Sequence, residues 1–71
     1  MAEEVRAEMV ASVFKVLVSQ GDAVSEGDEL VTLESMKMEI PVIAEVSGVI
    51  REVAVHEGDV IQGGDLIAVI E

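Results

Sequence analysis

Apolar residues in this chain come in short runs separated by polar breaks. Residues 13–18, 30–33, 49–55 and 66–70 are mainly aliphatic, and the breaks between them carry Gly21-Asp22, Gly27-Asp28, Gly58-Asp59 and Gly64-Asp65. Runs of this length, rich in valine and isoleucine, read as strands. Glycine and aspartate between them read as turns, glycine for its backbone freedom and aspartate because its carboxylate bonds nearby amides. Short strands at short, regular spacing predict an all-β sandwich or barrel.

The pattern occurs twice. Residues 5–34 and 42–71 align without gaps at an offset of 37, with ten identities, among them Val16/Val53, Val18/Val55, Gly21/Gly58, Gly27/Gly64 and Glu34/Glu71. Val16, Val18, Val53 and Val55 recur at period two in both copies and are assigned to the core; Val31, Leu33, Ala68 and Ile70 form a weaker candidate set. Val13, Phe14 and Leu17 crowd one strand and blur its alternation, which suits strands buried on parts of both faces. A pseudo-twofold between the copies would put the segment joining them at one end of the domain and the two chain ends together at the other.

That joining segment, residues 35–41, runs Ser-Met-Lys-Met-Glu-Ile-Pro. Propensity alone favours helix from Leu33 to Glu39. Two features override it: the repeat makes residues 30–34 the counterpart of a terminal strand, and Pro41 disfavours helix at Ile40. The resulting expectation is a hairpin, with strand 30–35, turn 36–37 and strand 38–44. A two-residue hairpin turn ordinarily asks for Asn-Gly or a similar pair. Met36-Lys37 breaks that rule, and a local rule broken at an exposed tip points toward function.

Composition narrows the class. Seventy-one residues make one domain, residues 1–71, with a modest core. No cysteine is present, so neither disulfides nor thiolate chemistry are available. The net charge of −11 argues against nucleic acid and anionic membranes as partners. No apolar run approaches a membrane span, and the beginning Met-Ala-Glu-Glu is unlike a secretion signal, so a cytoplasmic location is expected.

Glu34-Ser35-Met36-Lys37-Met38-Glu39, followed by Ile40-Pro41 and Ala44, together with Gly48-Val49-Ile50 and the Gly-Asp pairs of the second half, resembles the biotinyl/lipoyl attachment domain family. The likeness runs from Val5 to Glu71, and its nearest form is the short, free-standing biotin/lipoyl attachment protein. It implies a flattened barrel-sandwich hybrid of two four-stranded antiparallel sheets with a pseudo-twofold internal repeat. It also implies biotin joined covalently to Lys37 by a biotin protein ligase, with Met36 and Met38 as recognition flanks and Glu34, Ser35 and Glu39 as turn context. Carboxybiotin would then travel between a biotin carboxylase and a carboxyltransferase. Lipoyl relatives usually flank their lysine with Asp and Ala, so the methionines favour biotin over the alternative, a lipoyl carrier. A second alternative is an unmodified β interaction module. The chain departs from the family in Ser35, where many relatives have Ala, and in Glu8-Met9-Val10-Ala11, where Pro-Met-x-Gly is common. The absence of an insertion between Val18 and Leu30 implies no protruding thumb.

The remaining chemistry-bearing residues point away from independent catalysis. Lys15, the only lysine besides Lys37, falls mid-strand and reads as a solvated side chain. His56 is the single histidine beside a turn, too little for a zinc site. Asp22, Asp28, Asp59 and Asp65 read as turn residues, since Ala23-Val24 interrupts the ligand spacing that a calcium loop needs. An ammonium is not a nucleophile, so a partner enzyme must remove the proton of Lys37 before it can be acylated.

Overall fold

The computed structural model describes residues 2–71 and is entirely β. Eight strands follow in order: β1 Glu3–Arg6, β2 Ala11–Val16, β3 Ala23–Val24, β4 Glu29–Ser35, β5 Met38–Ile43, β6 Gly48–Val53, β7 Val60–Ile61 and β8 Leu66–Ile70. They form two four-stranded antiparallel sheets, β1-β8-β6-β3 and β5-β4-β2-β7. The all-β sandwich expected from the turn spacing is the fold observed.

An offset of 37 residues carries one sheet onto the other, strand by strand. It also carries the irregularities. Phe14 is the extra residue between the pairs Val13↔Leu33 and Lys15↔Thr32, and Arg51 is the extra residue between Ile50↔Ile70 and Glu52↔Val69. Leu30 in β4 and Ile67 in β8 form a second matched pair of bulges. A bulge inserts an unpaired residue, disrupts the ladder locally and resets the period-two alternation. Leu30-Val31 and Ile67-Ala68 are therefore both buried as consecutive pairs, while Phe14 and Lys15 are both exposed. The crowding of Val13, Phe14 and Leu17 is resolved in this way: Val13 faces inward, and Phe14 and Leu17 lie outside.

All four Gly-Asp turns are built alike. Asp22, Asp28, Asp59 and Asp65 each accept a hydrogen bond from the amide three residues earlier, at 2.8–2.9 Å, and each aspartate amide donates back to that residue's carbonyl at 3.0–3.1 Å. The glycine before each aspartate has φ of 93–96°, the left-handed range open to a residue without Cβ. The turns also sew the halves together. Gly27 N–H donates to the Ala44 carbonyl and Gly64 N–H to that of Ala7, while Asp22 and Asp59 carbonyls accept from Ile50 and Val13.

The core divides into two groups; the offset carries five residues of one onto the five of the other, while the counterparts Val31 and Ala68 both belong to the larger group. Ala7, Val13, Leu33, Ile61 and Ile67 lie in one, and Ala44, Ile50, Ile70, Val24 and Leu30 in the other. Val31, Leu33, Ala68 and Ile70, the weaker set from sequence, are all buried. Of the preferred valines only Val55 is buried; Val16, Val18 and Val53 are half-exposed. The reason is their position. Val16 with Val53, and Val18 with Val55, line a shallow depression of ≈ 480 Å³ together with the matched pairs Ser19/His56 and Gln20/Glu57. Four pairs of counterparts around one hollow place it across the pseudo-twofold axis, where the sheets part.

Glu3 pairs with Ile70, so the first and last strands lie side by side at their outer ends. Ser12 pairs with Glu34 near the β4–β5 turn, and Ala11 pairs with Ile61, whose following turn starts β8. β8 then runs away from the level of that turn toward Ile70. The β4–β5 turn and the paired chain ends therefore occupy opposite ends of a body 32 × 18 × 17 Å in extent.

Candidate functional site

β4 and β5 pair from Glu29↔Ile43 to Ser35↔Met38, leaving Met36 and Lys37 as a two-residue turn. Their φ values are 53° and 65°, so both residues are left-handed, and they are the only residues other than glycine with positive φ among those described. This is the conformation that matches hairpin twist. It costs an ordinary L-residue roughly 1–2 kcal/mol. The ladder below holds it in place: Leu33 is buried, Ile40 opposite it is half-buried, and Val13, Ile61 and Ile67 pack in the same core group as Leu33. Pro41 lies on β5, an edge strand, where its missing N–H leaves no inner ladder bond unmade.

The turn projects its side chains into solvent. Met36 is 90% exposed and Met38 66%, and Lys37 is exposed between them. The methionines are thus display residues and not core. Ion pairs among the described residues join Arg6 to Glu4 and Arg51 to Glu71, and the His56 ring lies near Asp59; none of these reaches Lys37. One step below the turn, Glu34 and Glu39 face each other across the ladder, both exposed, with half-buried Ser35 above Glu34 and paired to Met38. Like charges directly opposite are mildly destabilising. The tip therefore combines strained backbone, exposed apolar side chains and paired like charges, three features that stability alone would not favour.

The other residues singled out from sequence lie away from this tip or serve the fold. Lys15 is exposed on β2. His56 is exposed in its turn, its ring nitrogen 3.7 Å from Asp59. No group of three or more His, Cys, Asp or Glu among the described residues is placed to hold a metal ion. Sequence reasoning overlooked a further feature of the tip-bearing sheet, the exposed apolar residues Val10, Phe14 and Val60. Comparing the two repeats at their mismatched positions, instead of their matched ones, would have drawn attention to them.

The doubled β-body, with one lysine exposed on a two-residue hairpin turn, has the architecture of a carrier domain. The biotin/lipoyl family, described as biotin-requiring enzyme, matches residues 3–70, and the chain belongs to that family. A relative from Mycobacterium leprae (strain TN), the biotinylated protein TB7.3 homolog, is 67% identical over 70 residues, 99% of this chain and 99% of that protein. Urea carboxylase from Kluyveromyces lactis contains a similar structure, with a TM-score of 0.93 and 35% identity over 100% of this chain and 6% of that one. The lipoyl domain of the 2-oxoglutarate dehydrogenase complex from Azotobacter vinelandii superposes with a TM-score of 0.78 and 25% identity, over 94% of this chain and 95% of that domain. The barrel-sandwich architecture implied by the family resemblance is thus the architecture of the chain.

Proposed function

We propose that this chain is a biotin carrier whose Lys37 Nζ forms an amide with the biotin carboxyl group, installed by a biotin protein ligase. The observation that carries the reading is the tip itself: a lysine between two exposed methionines, on a turn whose backbone both flanking strands hold in a left-handed conformation. Among the described residues no ion pair reaches Lys37; the ligase deprotonates the amine, and the domain contributes presentation. The flexible, apolar methionines suit contact with successive partner sites. Loading removes the lysine's positive charge and takes the net charge from −11 to −12. The loaded arm then carries carboxybiotin from a biotin carboxylase to a carboxyltransferase. Tethering acts through effective concentration, so a carrier without catalytic groups still raises the rate of transfer.

Intact-mass measurement of the protein from its own host, with streptavidin capture, tests this. The expected result is a single biotin adduct that disappears in Lys37→Arg, with the fold unchanged. A lipoyl adduct or an unmodified chain overturns the biotin assignment; capture of the Arg variant by streptavidin overturns Lys37 as the site.

A further inference from the structure

The pseudo-twofold gives each outward position on the tip-bearing sheet a counterpart on the other sheet in the same backbone setting. Folding makes similar demands of both members of such a pair, so a difference between them reflects something else. Three differences lie together beside the tip. Val10, Phe14 and Val60 are 62%, 52% and 71% exposed, where their counterparts are Ser47, Arg51 and Ala23. Arg51 reaches Glu71 at 4.0 Å, a surface ion pair that Phe14 cannot reproduce with Glu34. In return Val49, the counterpart of Ser12, is exposed on the other sheet, and Val46 is exposed in the segment just before that strand.

These three residues form a patch. Ser12 is paired with Glu34 on one side and Val60 on the other. Phe14 stands two residues after Ser12 and is exposed at the β2 bulge, and Val10 is exposed immediately before that strand begins. The apolar stripe therefore adjoins the Glu34–Glu39 pair under the tip. A strand rise of roughly 3.3 Å and a strand spacing of roughly 4.8 Å place all three Cα atoms within about 15 Å of that of Lys37. A standard interface covers about 800 Å² on each partner, a disc of roughly 16 Å radius, so contact centred on Lys37 reaches them.

We infer that this face, apolar at Val10, Phe14 and Val60 and acidic at Glu34 and Glu39, docks the biotin protein ligase. The inference rests on the reading of Lys37 as the attachment site. Reach selects the ligase over later partners. The ligase must bring Nζ itself to an activated acyl group while the lysine's own four-carbon stem is the only arm available, so its surface closes on the turn and on whatever adjoins it. Once biotin is attached, the longer arm carries the ring clear of the sheet. A second copy of this chain is a poor occupant, because each copy carries a net charge of −11. The complementary ligase surface is an apolar patch bordered by lysine or arginine.

The repeat also supplies the test. The triple variant Val10→Ser, Phe14→Arg, Val60→Ala transplants residues that the same fold already carries on its other sheet. With purified ligase, biotin and ATP, initial loading rates are measured against carrier concentration. The triple variant is expected to raise KM tenfold or more with kcat within twofold of the parent, and Val49→Ser on the opposite sheet to behave as the parent. An unchanged KM overturns the inference, as does a loss confined to kcat, which would mean that the tip geometry had been disturbed instead. If thermal melts show that the triple variant does not fold, the isosteric Val60→Thr alone carries the test and is expected to raise KM severalfold. Failure of the parent itself to accept biotin at Lys37 is a separate outcome, seen before any variant is compared, and defeats the underlying assignment.

Discussion

Met36 and Lys37 hold left-handed backbone angles that neither residue type prefers. Asparagine tolerates that region far better than methionine. Met36→Asn is therefore expected to stabilise the domain by about 1 kcal/mol in denaturant titration while reducing biotin loading by the ligase. Stability and function would move in opposite directions at one position, a trade-off characteristic of displayed sites. An unchanged or lowered unfolding free energy would show that the turn is not strained as its angles indicate. This conflict was legible in the sequence, because the hairpin could be placed from the repeat and its two central residues then failed the requirements of the turn. The positions of Val16, Val18 and Val53 were not legible. Identity between the copies marks them as core, and they do pack against it, but they are only partly buried because they flank the pseudo-twofold axis, where a residue lies near its own counterpart around an open hollow. Sequence identity there reflects the symmetry as much as the core.

At the scale of elements, the turns could be read and the bulges could not. Gly-Asp announces a turn because the requirement is local: a left-handed glycine, then a carboxylate within reach of an amide. A bulge depends on where the partner strand has its own bend, and nothing near Phe14 or Leu30 in sequence encodes that. Two glycines separate these kinds of constraint. Gly58 has φ of +93° with open space around its missing Cβ, so Gly58→Ala meets backbone strain alone. Gly48 lies in β6, where an added Cβ would stand 2.5 Å from the Glu71 carbonyl oxygen and 2.8 Å from Ile70 Cγ2. Each alanine substitution is expected to cost about 1–3 kcal/mol. Hydrogen exchange tells them apart. The Val49 and Glu71 amides, which bond to each other's carbonyls, exchange faster in Gly48→Ala through local parting of the strands. In Gly58→Ala they keep their protection relative to global unfolding. Equal local protection in both variants would contradict the close approach at Gly48.

At the scale of the whole molecule, the halves are interleaved and not merely joined. Each sheet combines two strands from residues 1–37 with two from residues 38–71, and turns of one half bond to strands of the other. Peptides covering 1–37 and 38–71 are expected to lack β structure separately and to regain it when mixed, as read by circular dichroism. A folded isolated half would refute the interleaving. The proximity of Glu3 to Ile70 has a different consequence. Entry and exit points that touch allow the module to be spliced into a surface loop of a larger polypeptide without prying that host apart. Anchored by two leashes at its base, such a graft would pivot as a unit, sweeping its cargo through an arc set by spacer length.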